Sequence, residues 1–559
     1  MKINIYIIGF IFLGLGINSC SHFEDLNTDP TTTVAADPQS LITAVQLSYS
    51  GEREVTWRST AGYHMAFIQM ISDNWAIARG QVYQADPQYL EFMWRSSYGK
   101  INDLTAAITE AGKDPAKVNY EAVARIFKVL IFSELTDTYG DIPYFDAVKG
   151  YDEGVLYPKY DNQQDIYTDF FKELKEAAAQ LDPAMPLNGD LIYGGNVEGW
   201  KKFANSLRLR LAMRLIHVDN TLAQTEAEAA VADGVFESYT DGAIVYHGNY
   251  NVIEGGTVAE IRGNAFSQVQ RFAEEIVVGC ETYVSYLRDN NDPRFTLMFG
   301  MYGAYEADGP TVYDHRSVNE TSVEATAEYK AKYGKLQGFP SGHFIWNPIE
   351  LEDGTEDPDW SWATNTVDVN GKTVQFLRYF KALQLRRELT RLEMPTIYQS
   401  YSEVELWLAE MATYGWATGG ADAKTHFANA VQASIDEMEE IYKSEAIVVG
   451  MDVPAYIDNI WASADAFEVI NMQHYVNNFF NGREGFANWR RSGYPLLKPA
   501  GHEWSDPALN GLIPRRLAYP NSEINYNSVN IQEHLDDGVN FWGAPVWWDN
   551  SIDRGVDPS

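Results

Sequence analysis

Large flat aromatics standing beside amides and carboxylates are the residues here whose types could do chemistry, and that chemistry is recognition. An aromatic ring covers the apolar C–H face of a sugar, while amides and carboxylates exchange hydrogen bonds with its hydroxyls. Three places carry the combination. Trp75 closes Ser72-Asp73-Asn74-Trp75, so Asn74 and Trp75 stand together after a helix-like stretch. Trp360 and Trp362 lie in Asp357-Pro358-Asp359-Trp360-Ser361-Trp362, an acidic segment expected to be exposed. Tyr302 and Tyr305 lie in a Gly-rich segment. Each ring would also serve as ordinary core; ligand contact is expected of at least one of Trp75, Trp360 and Trp362.

Catalytic spacings are missing. The sequence holds no His-Glu-x-x-His, no Gly-x-Ser-x-Gly and no Gly-rich phosphate loop, and Gly338-Phe339-Pro340-Ser341-Gly342 lacks the spacing of a nucleophile elbow. A glycosidase carboxylate pair is defined by separation in space, so 78 acidic residues leave a surface-anchored glycoside hydrolase as a rival reading. Two cysteines, Cys20 and Cys280, exclude a disulfide framework and a thiolate metal site. No cofactor is expected. A structural calcium ion in the acidic stretch Asp353–Asp359 is the one metal left open, and the spacing there departs from a regular calcium loop. The formal charge of −36 excludes nucleic acid, whose binding by counterion release needs a basic face, and makes a neutral ligand the simpler expectation.

Cys20 carries a different chemistry. Lys2 precedes an almost wholly apolar run, Ile5–Ile17, of signal-peptide length and too short for a comfortable membrane span. The run ends in Ile17-Asn18-Ser19-Cys20, which resembles the bacterial lipobox apart from Asn18. The expectation is a signal peptide over residues 1–19, lipid on the Cys20 sulfur, and one domain over residues 20–559. Several acyl chains, each contributing roughly 0.8 kcal/mol per buried methylene, anchor far more firmly than one.

The elements that must position these side chains are mostly amphipathic helices. Tyr120–Tyr139 places Val123, Ile126, Phe127, Leu130, Ile131 and Leu135 at helical spacing, with Asn119 as cap and Gly140 and Pro143 as stops. Helical patterns follow over Asn162–Leu181, Glu198–Val218 and His426–Tyr442, and Ser402 with Glu405 has capping-box spacing. Arg210 and Arg214 share a helix face and, like Arg490 and Arg491, are expected to pair with buried carboxylates. Between the helical blocks, Asp241–Leu392 reads as long and irregular, with one hairpin, Thr366–Val369 and Lys372–Phe376, around Asn370-Gly371.

An ordered set of segments then resembles one family. Phe23-Glu24-Asp25-Leu26-Asn27-Thr28-Asp29-Pro30, Tyr139-Gly140-Asp141-Ile142-Pro143-Tyr144 and Tyr157-Pro158-Lys159-Tyr160-Asp161 come first. Tyr193-Gly194-Gly195-Asn196 with Trp200–Arg208 and Ala212-Met213-Arg214 follows, then Trp489–Pro495, Ile513–Leu517 and Val546-Trp547-Trp548-Asp549. In this order they are similar to the SusD/RagB family, in particular its SusD-like 2 branch. The resemblance implies a mainly α fold, a tetratricopeptide-like scaffold of four helix pairs with long irregular loops and a few short strands. It implies a non-catalytic, lipid-anchored protein facing outward from the outer membrane. Such a protein takes a glycan, or in some members a peptide, on a loop-built face and passes it to a SusC-type TonB-dependent transporter. Early acids such as Glu24-Asp25 resemble the surface-export signal of Bacteroidetes lipoproteins.

Overall fold

Aspartates and prolines start the first helices. In the computed structural model, which describes residues 37–72, 78–150, 153–250, 261–272, 277–300, 302–305, 320–322, 365–369, 372–376, 384–443, 452–499 and 505–549, α1 (Pro38–Gly51) and α2 (Pro87–Ala111) each open on proline. Asp37 accepts from Ser40 N, and Asp86 from Gln88 N and Tyr89 N. Proline lacks the N–H that a first turn would leave unpaired, and the carboxylate satisfies the ones that remain. The α3 helix (Val118–Tyr139) is buried on nearly every face and ends at Gly140, whose φ of +89° suits a residue without Cβ.

Asn119 does not cap α3. The helix begins one residue earlier, after a tight turn over Pro115–Lys117, and Asn119 is turned inward. Its amide donates to Asp182 O and Met185 O at 2.8 Å each, and its carbonyl accepts from Asp182 N at 2.8 Å. It clamps the connection beyond α4 (Gln163–Gln180) onto the start of α3. Next come α5 (Val197–Arg214), capped by Asn196, and α6 (Asn220–Asp233), capped by Asp219. From α1 to α6 each helix packs on the next in sequence, giving stacked helical hairpins.

The stretch expected to be irregular holds more order than its composition suggests. It carries β2 (Ala243–Val245), α7 (Ala265–Phe272), β3 (Val278–Gly279) and α8 (Glu281–Asp289). It also carries β4 (Phe299–Gly300), β5 (Tyr302–Tyr305), β6 (Glu320–Ser322), β7 (Asn365–Val369), β8 (Lys372–Phe376) and β9 (Gln384–Leu385). The expected hairpin is present: β7 and β8 pair antiparallel out to Val369 opposite Lys372. β8 and β6 flank β5 in a four-stranded sheet.

A second helical block follows β10 (Thr396–Gln399): α9 (Tyr401–Thr413), α10 (Ala423–Asp436), α11 (Val453–Trp461), α12 (Ala466–Asn477) and α13 (Gly482–Ser492). Ser400, not Ser402, caps α9, accepting from Glu403 N. The strand ends at Gln399, so the helix must begin at once, and the Ser402 hydroxyl is engaged by Glu437. α10 stops at Asp436 and passes into a π-helical turn, Glu437–Ile441. α9 packs on α10 and α12, α12 on α13, and the blocks meet through α5 on α9 and α3 on α13.

Ion pairs seal that junction and brace the second block. Arg210 donates to both Glu403 oxygens at 2.7 Å, Arg214 meets Glu484 at 2.6 Å, and Arg491 grips Glu410 at 2.6 and 2.7 Å. Arg490 departs from the expected carboxylate pairing. It donates to Phe486 O and Arg515 O and lies over the Phe486 and Trp548 rings. Burial, with Arg515 and Arg214 nearby, outweighs the pull of Asp549 and Asp137 and pushes its pKa down to about 9. One hydrophobic cluster runs from Ile42 to Trp548 and absorbs much of the aromatic surplus, with Trp200, Trp407, Trp489, Trp542 and Trp548 wholly interior.

Candidate functional site

Short strand pairs gather the stems of the loops singled out in the sequence. β1 (Ile71–Ser72) pairs with β3, with Ile71 opposite Gly279 and Ser72 opposite Val278. β4 pairs with β9, with Phe299 opposite Leu385, and β9 lies against β3. The segment after Ser72 and the stretch between Gly300 and Gln384 therefore depart from one small platform. Gln69 ties it further, donating to Lys498 O at 2.6 Å and accepting from Thr282 Oγ1 at 2.6 Å. Asn74, Trp75, Trp360 and Trp362 lie outside the described residues, as do Cys20 and the acidic stretch 353–359. Tyr302 and Tyr305 fall on β5, where their backbones face Ser322 and Val374 across the sheet.

A cleft opens beside this platform, joined to it by the aromatic cluster of Phe266, Phe480, Phe479 and Phe299. It opens to solvent and holds a cavity of about 80 Å³. One wall is a π-helical segment, Thr56–Met65, and the other is the run from Met394 to Tyr398. Single turns of π-helix splay side chains out of α register and recur at functional sites.

Irregularity in β10 completes the cleft. β2 and β10 stay in register at Thr396–Val245 and Ile397–Ile244, then resume at Gln399–Ala243, leaving Tyr398 unpaired. Such a bulge re-aims the residue it frees. The Tyr398 carbonyl accepts from Arg210 at 2.8 Å and from Asn481 at 3.2 Å, while its ring packs edge-on to Tyr49. Arg483 lies 5.2 Å over the Tyr49 ring, donates to Thr60 Oγ1 at 3.1 Å and is paired with Glu134. Burial opposes its charge, but Glu134 and Tyr49 more than offset that and raise its pKa. On the far side Asn264 donates to Thr396 Oγ1 at 3.1 Å, and His247 meets the same oxygen at 3.0 Å. Burial pushes the His247 pKa down to about 4, so that ring is neutral at physiological pH.

This lining combines apolar surface from Met65, Phe266, Met394 and Phe480 with hydroxyls, amides and an internally neutralised ion pair. It suits a neutral polar ligand. Glu134 is the only carboxylate among the described lining residues, and Arg483 holds it. Among the described residues no group of three His, Cys, Asp or Glu side chains could hold a metal ion. Sequence reading passed over Thr60, Glu134, Asn264, Asn481 and Arg483, which come from positions far apart. The crowding of Asn477, Asn478 and Asn481 around Phe479-Phe480 was the one signal available.

The blocks that carried the family resemblance are architectural. Asp190 accepts from Ile192 N, Tyr193 N and Gly195 N, from the Trp200 indole and from Gln46, which fixes the Tyr193–Asn196 turn before α5. Asp141 accepts from Gln163 N and meets His534, so the turn after α3 caps α4. Arg515 grips Asp549 at 2.7 and 2.6 Å, and the Trp548 indole donates to Asp137, pinning residues 546–549.

Comparison with known proteins follows the same lines. A SusD-like family model, described as starch-binding and associating with the outer membrane, matches residues 30–520. A solved structure described as a chitin-binding protein superposes with a TM-score of 0.74 at 31% identity, covering 92% of this chain and 100% of that one. A SusD-like protein from Bacteroidetes AC2a gives 0.79 at 30% identity, again over 92% and 100%. A SusD-like protein from Bacteroides thetaiotaomicron shares the fold, with a TM-score of 0.66 at 21% identity over 93% and 100%. No curated protein matches the chain.

Proposed function

This chain belongs to the SusD-like family, and on that premise we propose that it is a non-catalytic surface lipoprotein that captures a neutral oligosaccharide. The observation that carries the reading is the joint placement of the loop stems and the cleft. The platform from which the segments bearing Asn74, Trp75, Trp360 and Trp362 depart adjoins a cleft lined by amides, hydroxyls and apolar side chains. Those four residues, with Tyr302 and Tyr305 of β5, are the proposed contacts, their rings covering sugar faces and Asn74 serving hydroxyls. Binding of this kind needs no cofactor. The relative of 31% identity described as chitin-binding makes β-linked N-acetylglucosamine oligomers the first ligands to try.

Anchoring through lipid on Cys20 and delivery to a SusC-type TonB-dependent transporter complete the proposal, with the protein facing outward from the outer membrane. Affinity electrophoresis of residues 21–559 against chitin oligomers, starch, β-glucan and fructan tests it, alongside a reducing-sugar assay of the same protein. Retardation by a glycan with no release of reducing ends is expected. Turnover by the purified protein would sink the reading in favour of a hydrolase, and oligopeptide binding without glycan binding would transfer it to the peptide-binding members.

A further inference from the structure

A narrower pocket continues the cleft inward, sharing Ile397, Phe480 and Asn481 with it. It lies between the start of α9, the π-helical turn at Glu437 and the turn after α12, and is lined by Gln399, Ser400, Glu403, Glu437, Asn477 and Asn478 among others.

The hydrogen bonds around Ser402 bear on the charge of this pocket. Ser402 Oγ stands 2.7 Å from Glu437 Oε2, 2.6 Å from Asn477 Oδ1 and 2.8 Å from Ser400 Oγ. Ser400 Oγ already accepts from Glu403 N and Asn477 Nδ2, so its own proton goes to Ser402. The single Ser402 proton cannot serve both Asn477 Oδ1 and a carboxylate. Every contact is satisfied when Glu437 is protonated and donates to Ser402, which donates to Asn477. Burial, with Glu403 and Asp436 near, pushes the Glu437 pKa up to about 7, in the same direction. Glu403, the other carboxyl, is neutralised by Arg210. Below about pH 7, with Glu437 protonated, the pocket carries no net charge.

It does carry unmet hydrogen-bonding groups. Asn478, 2% exposed, has a side-chain amide N–H₂ without a partner. Gln399, 1% exposed, donates to Ser206 O and Glu403 while its carbonyl oxygen has no donor. A buried donor and a buried acceptor left open in a neutral pocket match a group that both accepts and donates. An ammonium would meet the Asn478 N–H groups, and a carboxylate would meet the Gln399 oxygen.

We propose that this pocket receives a hydroxyl-bearing arm of the oligosaccharide whose body occupies the cleft, its hydroxyls accepting from Asn478 and donating to Gln399. The proposal rests on the reading that the chain binds a neutral glycan. It is tested by calorimetric titration of the full mature chain with N,N′-diacetylchitobiose and maltose, comparing wild type with Asn478→Leu and Gln399→Met. Thermal melts establish that each variant is folded, and Asn478→Ser replaces the leucine variant if that one is not. Affinity is expected to fall about 2- to 13-fold in each variant, the loss of one buried neutral hydrogen bond. Wild-type affinity in folded variants, or a complex crystal with ordered water alone in the pocket, overturns the proposal and leaves glycan capture standing. Failure of wild type to bind any glycan overturns both.

Discussion

Glu437 makes a pH-dependent contribution whose sign is set by its raised pKa. Below about 4.5 it is protonated in both folded and unfolded chains and costs nothing. Between about 4.5 and 7 the unfolded chain ionises while the folded one holds its proton, so stability falls as pH rises, by on the order of 3 kcal/mol, and levels off above. Glu437→Gln keeps the neutral form. It should melt with wild type near pH 4 and above it at pH 8, and equal melting at both would remove Glu437 as the cause. Arg491 and Glu410 test the opposite case, a charged pair with neither side chain exposed. Arg491→Met should lose about 3–5 kcal/mol in urea denaturation by stranding Glu410, and adding Glu410→Leu should recover much of it. The buried role of Arg491 and Arg210 was legible because an acidic chain offers arginine so many partners. Arg490 was not, because its acceptors are backbone carbonyls and rings, which leave no mark in composition.

Helices were legible where one face is apolar and the ends are punctuated. The α3 helix shows both in the apolar run up to Leu135 and in Gly140 and Pro143 after it. Caps were harder. Ser400 and Ser402 each stand three residues before a glutamate, and only the end of β10 at Gln399 selects the first. Asn119 has the right type for a cap, yet the turn before it lets α3 begin sooner and sends its side chain across to residues 182–185. Asn119→Ala should therefore cost about 2–4 kcal/mol rather than the smaller effect of a lost cap, through three hydrogen bonds. It should also speed proteolytic nicking near residue 185, and unchanged nicking would show that the clamp does not hold that connection. The bulge at Tyr398 had no sequence signature, since it arises from how β10 must both pair with β2 and feed α9.

Across the whole molecule, fold class was legible because ordered segments spanning most of the chain agree, and the family match over residues 30–520 rests on the same breadth. The cleft was not, because Tyr49, Glu134, Asn264, Tyr398 and Arg483 converge only after both helical blocks have docked. Compartment is a property of the intact chain. Cys20→Ser, expressed in its native host, should move the protein from the membrane fraction to the soluble fraction, followed by immunoblot with wild type alongside. Retention in the membrane fraction would show that something other than lipid on Cys20 holds it. The pairing of β4 with β9 sets Gly300 directly opposite Gln384, so the chain that wanders from one to the other comes home to its starting point. A length of polymer whose two ends already meet can be rewritten, lengthened or trimmed at little entropic expense to the frame that carries it. Sequence between such ends can thus change while the helices beneath stay as they are.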